Sequence, residues 1–203
     1  MKINQLAQYL EWIMKFAYLN ILWLGSTLLG VGLFGFFPAT MTSFILLKSF
    51  IVDGETEWTA QDFFICYKKI FFRSNKLGFI CWLILGSLGI NFHIVLTSEE
   101  PLFIGLRIPI LLAIIGTLSM LVYVFPISVY WGRSMYQTFF SAGCFALAFP
   151  VQTAKVLALL ILIACIGFLF PMFLLFFSGS VSMYLVLKNY VLLQIKIDKQ
   201  SME

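Results

Sequence analysis

Four long apolar segments constrain this chain more than any other feature. They cover residues 16–37, 77–96, 108–127 and 156–177, and each contains 20 to 22 residues. As helices they would extend about 30–33 Å at about 1.5 Å per residue, which matches the hydrocarbon core of a bilayer. Two shorter apolar runs, 39–52 and 181–195, would extend only about 20–23 Å, as short spans or half-spans. The sequence therefore predicts an all-α, polytopic integral membrane helix bundle with five to six membrane segments and cytoplasmic amphipathic helices.

The composition excludes a soluble globular protein. Of the 203 residues, 62% are hydrophobic and 11% are charged, against roughly 45–50% and 25% in an ordinary soluble domain. We expect one membrane domain over residues 1–203. Its expected parts are an interfacial helix (1–15), a first broken hairpin (16–52), a cytoplasmic amphipathic helix (57–76), a second hairpin (77–127), a cytoplasmic or interfacial region (128–155), and a third hairpin with the C-terminal tail (156–203).

The positions of the charged residues predict the orientation in the membrane. The connection between residues 48 and 76 carries five bases, whereas the connection at 97–101 carries Glu99 and Glu100 and no base. Because lysine and arginine are enriched on the cytoplasmic side, we expect Lys69, Arg73 and Arg133 inside and the two glutamates outside. If the N-terminus is also inside, six segments form three hairpins. If the segment after Pro38 stays on one side, the number is five.

The segment 57–76 has the pattern of an amphipathic helix. Its polar residues recur at intervals of four, three, four and three, while aromatic and aliphatic residues form a neighbouring stripe. The polar set is Asp62, Cys66, Lys69, Arg73 and Lys76. The helix either lies on anionic headgroups as a topology anchor or docks a cytoplasmic partner, for which Arg133 is a further candidate. Both hypotheses expose Lys69 and Arg73, so the sequence does not separate them.

Glycines and one proline interrupt the first apolar region. Proline lacks an amide donor and clashes with the preceding helical turn, so we expect a break or reversal between Gly35 and Thr40, around Pro38. The glycine-rich run 25–35 could pack helices closely or let the chain re-enter the membrane. Close packing is the preferred interpretation.

Four polar residues in or beside the apolar segments are the weak candidates for a transport pathway: Asn20, Asn91, His93 and Arg107. We expect Arg107 to reach the headgroups or to pair with Glu99 or Glu100, and His93 to be an interfacial hydrogen-bonding residue. A transporter or channel would need a polar path between the four.

The same inventory argues against an enzyme. The chain has a single histidine, four dispersed cysteines with no C-x-x-C pair, and no phosphate-binding lysine after its glycine-rich run. We therefore expect no catalytic residues, metal site, cofactor or nucleic-acid partner. Any energy coupling would have to come from a partner protein.

Several phrases in fixed order carry a family resemblance. They are Asn20-Ile-Leu-Trp-Leu in the first segment, the glycine-rich run into Phe37-Pro38-Ala39-Thr40, and Phe63-Phe64 through Arg73-Ser-Asn-Lys-Leu-Gly78. In these features the chain resembles the YesL-like family of bacterial membrane proteins, a family of unknown function. The resemblance covers essentially the whole length and is strongest over residues 18–80. The family-like positions are Phe37, Pro38, Ala39 and Thr40, together with Lys69 and Arg73.

The resemblance implies a function that the composition does not. Members of this family accompany sugar-uptake transporters of the ATP-binding-cassette (ABC) type in Gram-positive bacteria, so the expected role is an accessory multi-pass protein of the bacterial cell membrane. Its expected partners are the lipid bilayer and the permease subunits of a sugar ABC transporter. The alternative is a small stand-alone transporter or channel.

Overall fold

The computed structural model describes residues 2–54, 58–132 and 134–200, and these residues form helices joined by short connections, with no β-strand among them. Six helical segments there are long and apolar enough to cross a membrane. The all-α membrane fold is therefore confirmed. The helices are α1 (Lys2–Leu29), α2 (Leu33–Lys48), α3 (Ala60–Thr97), α4 (Pro101–Trp131), α5 (Met135–Ala148), α6 (Pro150–Leu169), α7 (Pro171–Phe173) and α8 (Gly179–Gln200). Residues Ser49–Asp53 and Leu174–Ser178 form π-helical turns.

The first break lies at residues 30–32, so the expected break between Gly35 and Thr40 is wrong. α2 runs from Leu33 through Pro38 without interruption. Val31 and Gly32 instead adopt positive φ angles of 58° and 71°, a conformation in which glycine has no steric penalty. In an apolar setting Pro38 is tolerated within α2 because neighbouring groups satisfy the freed backbone.

A second break, which the sequence analysis did not predict, falls inside the apolar segment 156–177. α6 ends at Leu169, and Phe170 precedes a new helical start at Pro171. Hydropathy found the apolar run but not this boundary, because every residue around it is apolar. A proline at the first helical position begins a helix, since its missing N–H would have no partner there in any case.

Two other expected boundaries do not interrupt helices. The proposed interfacial helix 1–15 and the start of the first span form one helix, α1. Likewise residues 60–76 of the predicted amphipathic segment and the span 77–96 form the single 38-residue helix α3.

The helices form two compact units, Met1–Ser74 with Lys155–Glu203, and Asn75–Ala154. In the first unit α1 packs on α2, and α8 packs on both. Its core includes Leu19, Phe63, Leu187 and Tyr190, each at most 1% exposed.

In the second unit α5 packs on the end of α4. The buried side of α4 consists of residues near its C-terminus, among them Tyr123, Val124 and Ile127. The Tyr123 hydroxyl lies 3.1 Å from the Thr153 hydroxyl, and the two share a buried hydrogen bond.

Candidate functional site

Asn20 makes three hydrogen bonds to the backbone of the first unit. Its Nδ2 donates to the carbonyl oxygens of Leu174 and Leu175 at 3.1 and 2.7 Å. Its Oδ1 accepts from the Ser180 N–H at 2.9 Å. The side chain is fully buried, and these three bonds join α1 to the π-helical turn 174–178 and to the first turn of α8.

The π-helical turn explains why an amide is needed at this position. A π-turn shifts the hydrogen-bond register of a helix, which leaves carbonyl and N–H groups without their usual partners. In an apolar interior each such group is costly unless another group satisfies it. One asparagine offers both an acceptor and two donors, so Asn20 can satisfy all three backbone groups. Asn20 is therefore a bridge between helices rather than a free group along a pathway.

The Phe37–Thr40 motif forms the contact between α1 and α2. The Trp23 Nε1 donates to the Thr40 hydroxyl at 3.0 Å, and that hydroxyl donates to the Phe36 carbonyl at 2.7 Å. Ala39 is fully buried, and Phe37 and Thr40 are nearly so. Sequence analysis found this motif but not its partner Trp23. The spacing of three between Asn20 and Trp23 places both on one face of α1 and could have identified that face as a contact surface.

Three glycines serve the turn between α1 and α2. A Cβ atom on Gly30 would collide with the backbone of Gly35 and lie 2.9 Å from the Tyr67 hydroxyl. A Cβ atom on Gly35 would lie 2.5 Å from the Thr27 carbonyl oxygen. The preferred interpretation of close packing therefore holds for Gly30 and Gly35, while Gly32 supplies the positive φ of the turn.

A cleft of about 400 Å³ lies beside these contacts, within the first unit. Its walls come from α1, α2, α6 and the segment 174–183, and they are mainly apolar. The hydroxyls of Thr40 and Ser178, which lie on its wall, donate to carbonyl oxygens of their own helices. The lining residues are Trp23, Phe36, Thr40, Leu160, Ile163, Ala164, Gly167, Leu174, Ser178, Gly179, Ser182 and Met183. The cleft can accept an apolar group.

The basic face of α3 is exposed, as the sequence predicts for Lys69 and Arg73. The opposite stripe packs inward: Phe63 is fully buried, and the Tyr67 hydroxyl donates to the Ser26 carbonyl at 3.4 Å. Exposure is expected of both a headgroup anchor and a docking surface, so the two hypotheses stay open. The third candidate, Arg133, lies outside the described residues. The side of the membrane on which these charges lie stays a prediction.

The other three pathway candidates belong to the second unit, whereas Asn20 belongs to the first. The Asn91 Nδ2 donates to the Ser87 carbonyl of its own helix at 2.7 Å, and the His93 side chain is exposed. Arg107 donates from Nε to the Val95 carbonyl at 3.2 Å and from Nη2 to the Ser98 carbonyl at 3.1 Å. Its guanidinium thus caps the C-terminal end of α3, where a cation is favourable, instead of pairing with Glu99 or Glu100.

Metal chemistry has no support in the described part of the chain, which contains no cluster of three His, Cys, Asp or Glu residues suited to a metal ion. The described polar groups instead hold helices in place. Asn20 and Thr40 fasten helices together, Arg107 caps a helix, and the cleft and the basic face of α3 remain as surfaces for other molecules.

Comparison with known proteins gives a family and several relatives. A protein-family model described as "Protein of unknown function, DUF624" matches residues 16–92. The uncharacterized protein YteU of Bacillus subtilis (strain 168) is 32% identical over 203 residues, which cover 99% of this chain and 90% of YteU. From the same organism, the uncharacterized protein YesL is 27% identical over 87% of this chain and 83% of its own length. The uncharacterized protein YesV is 30% identical over 72% of this chain and 71% of its own. No solved structure matches the chain.

Proposed function

This chain belongs to the DUF624 family of unknown function, to which it shows the predicted YesL-like resemblance, and from that premise we propose that it is an accessory integral membrane protein of carbohydrate uptake. In this proposal it assembles with the permease of an ABC-type sugar importer in the bacterial cell membrane. It supplies neither ATP hydrolysis nor a sugar pathway of its own. The sugar importer as partner comes from the family resemblance alone.

The hydrogen bonds of the polar side chains are the observation that supports the proposal. Asn20, Asn91 and Arg107 direct their hydrogen bonds to backbone carbonyls or N–H groups of their own unit. A carrier needs polar groups that exchange partners with a substrate along a path. Groups that hold helices together suit a scaffold better, so this pattern favours an accessory role over a stand-alone transporter.

In this proposal the permease contacts the cleft of the first unit. Ala164, a small and exposed residue on its wall, leaves room for an apolar side chain of another helix. Membrane helices associate through close packing at small residues rather than through a hydrophobic driving force. A partner helix seated there would cover apolar surface without needing a charge.

Co-purification with a matched pair of variants tests the proposal. Ala164 lines the cleft, and Ala158 is an exposed alanine on the same helix that does not. The variants Ala164→Trp and Ala158→Trp would be expressed from a tagged copy in a strain of the native host that lacks the gene. After extraction in mild detergent, mass spectrometry would identify bound permease subunits, and uptake of a panel of labelled sugars would be measured in parallel.

We expect the two tryptophan variants to behave differently. The wild type and Ala158→Trp should retain a sugar permease and restore uptake, and Ala164→Trp should lose both while inserting normally. Equal behaviour of the two variants would remove the cleft from the proposal. Sugar transport by the purified protein alone in proteoliposomes would overturn the accessory role and establish the stand-alone transporter.

A further inference from the structure

In both helical hairpins of the first unit the chain reverses direction at exposed apolar residues. The first hairpin is α1 with α2, and its turn is 30–32. The second is α6 with the chain from Pro171 onward, and its turn is Phe170. Leu29, Val31 and Phe170 are 77%, 84% and 64% exposed. No charged, amide or hydroxyl side chain occurs in residues 28–39 or 156–177.

The connection between α3 and α4 has the opposite character. It contains Ser98, Glu99 and Glu100, of which both glutamates are exposed. Polar residues of this kind are expected where a chain leaves the bilayer and meets water. The two apolar turns carry no such residue.

Several backbone N–H groups of both turns bond within the turn. In the first, N–H groups donate within the turn: Gly30 to Ser26 at 3.1 Å, Val31 to Leu28 at 3.1 Å, Gly32 to Thr27 at 2.9 Å, Leu33 to Val31 at 2.9 Å, Gly35 to Gly32 at 3.2 Å and Phe36 to Gly32 at 2.9 Å. In the second, Phe170 donates to Ile166 at 2.8 Å, Pro171 has no N–H, and Phe173 donates to Phe170 at 2.9 Å. A turn in water can leave such donors to solvent, whereas a turn in hydrocarbon must bond them internally.

The length of the arms limits how far the turns can reach. There are 14 residue-to-residue steps from Lys15 to Leu29, and as many from Lys155 to Leu169. Each arm is therefore about 21 Å of helix. From Leu33 to Lys48 is about 22 Å, and from Pro171 to Lys188 about 26 Å. The hydrocarbon core is about 30 Å thick. With these lysines held at one surface, neither turn emerges at the other.

We propose that both turns lie inside the hydrocarbon layer, so that each hairpin of the first unit enters and leaves the membrane on the same face. The exposed apolar side chains of the turns then contact lipid acyl chains. The two hairpins run side by side, since α8 is antiparallel to α1, with Ser180 at Asn20 and Tyr184 against Phe16. This inference is independent of the proposed function.

Spin labels at single cysteines test the depth of the turns. In a full-length background in which Cys66, Cys81, Cys144 and Cys165 are replaced by alanine, the variants Val31→Cys and Phe170→Cys would be labelled with a nitroxide. Glu99→Cys serves as the matched control from a polar connection. The protein would be reconstituted in vesicles of phosphatidylcholine and phosphatidylglycerol. Collision with oxygen, which concentrates in hydrocarbon, would be compared with collision with a water-soluble nickel chelate.

Labels at positions 31 and 170 should collide several-fold more with oxygen than with the chelate, and the label at 99 should show the reverse. Greater collision with the chelate at 31 or 170 would overturn the proposal, since that turn would be in water. Low collision with both probes would also overturn it, because protein rather than lipid would cover the turn. If the turn variants fold poorly, Leu29→Cys and Leu169→Cys report the same depth from the adjoining helix ends.

Discussion

α2 and α4 are both apolar helices, yet they differ in how many of their residues are buried. α2 has 11 buried residues among its 16, whereas in α4, which has 31 residues, the buried ones all lie between 123 and 128. α2 carries Thr40, Thr42 and Ser43, all buried. The corresponding stretch of α4 before residue 123 is dominated by leucine and isoleucine. In an apolar protein, small and hydroxyl residues distinguish the helix that packs within a unit from a helix with large exposed faces.

Asn20 of the first unit and Asn91 of the second unit differ in the same way in their hydrogen-bond partners. Asn20 bonds across 154 and more residues of sequence to the π-helical turn and to the start of α8. Asn91 bonds to a carbonyl four residues away on its own helix. We infer that Asn20 contributes to tertiary structure and that Asn91, on an exposed face of α3, contributes little.

Replacing Asn20 should give the largest effect on stability. Asn20→Leu removes three hydrogen bonds and takes away the side-chain partner of the Leu175 carbonyl and of the Ser180 N–H, while the Leu174 carbonyl keeps its bond from the Ser178 hydroxyl. Unsatisfied buried groups cost about 1–3 kcal/mol each in soluble proteins and less in membranes, so we expect a loss of about 3 kcal/mol in the free energy of unfolding. Unfolding by sodium dodecyl sulfate in mixed micelles would measure it. Asn91→Leu is the control and should change little. Equal losses in both variants would contradict the difference between the units.

Gly30 should be the next most sensitive position. Gly30→Ala places a methyl group against the Gly35 backbone and the Tyr67 hydroxyl, and such overpacking costs about 1–3 kcal/mol. Gly116 on α4 has open space around its Cα, so Gly116→Ala should be neutral or stabilising by up to about 1 kcal/mol, through helix propensity. The same unfolding titration measures both variants. A destabilised Gly116→Ala with an unaffected Gly30→Ala would reverse the comparison.

The bond between Trp23 and Thr40 should have a smaller, separable effect. Thr40→Val leaves the Trp23 N–H without its partner, and we expect a loss of about 1 kcal/mol. Trp23→Phe and the double variant complete a thermodynamic cycle, whose coupling energy isolates the pair. Ser119→Ala on α4 is the control, because the Ser119 hydroxyl bonds to its own helix on an exposed face. Additive single effects would show that the bond contributes nothing.

The sequence was sufficient for the fold class because apolar length and composition determine it. It was not sufficient for the helix ends at 30–32 and 170, because hydropathy is uniform across both. The proline rule pointed to Pro38, yet the chain turns at Val31 and Gly32, which adopt positive φ angles, while Gly30 permits the close approach to Gly35.

The role of Asn20 could not be predicted for a different reason. Its partners lie more than 150 residues away, and no local pattern links the first apolar segment to a π-turn near residue 175. Sequence reasoning identified Asn20 only as a polar residue in an apolar helix, for which a pathway is one hypothesis. The exposure of Lys69 and Arg73 was predictable, because helical periodicity alone places them on a different stripe of the helix from Phe63 and Tyr67.

Charge reversal on the basic face of α3 should have the smallest effect on folding. Exposed charges contribute little to stability, so the double variant Lys69→Glu with Arg73→Glu should insert and unfold like the wild type. If this face docks the permease, co-purification and sugar uptake should nevertheless fall, since attraction would become repulsion. The reversal of Lys196 and Lys199, exposed bases near the end of α8, is the control and should leave both measurements unchanged.

The headgroup-anchor hypothesis predicts a different pair of results for the same variant. Bases that anchor the protein act on anionic lipid and on the orientation of the chain, so their reversal should reduce insertion or invert it, with no separate loss of partner binding. Orientation is measured by impermeant thiol labelling of a cysteine at position 99, which reacts in intact cells when that connection is external. Normal labelling with lost co-purification supports docking, and altered labelling supports the anchor. A variant that inserts, binds and supports uptake normally would remove both roles from Lys69 and Arg73.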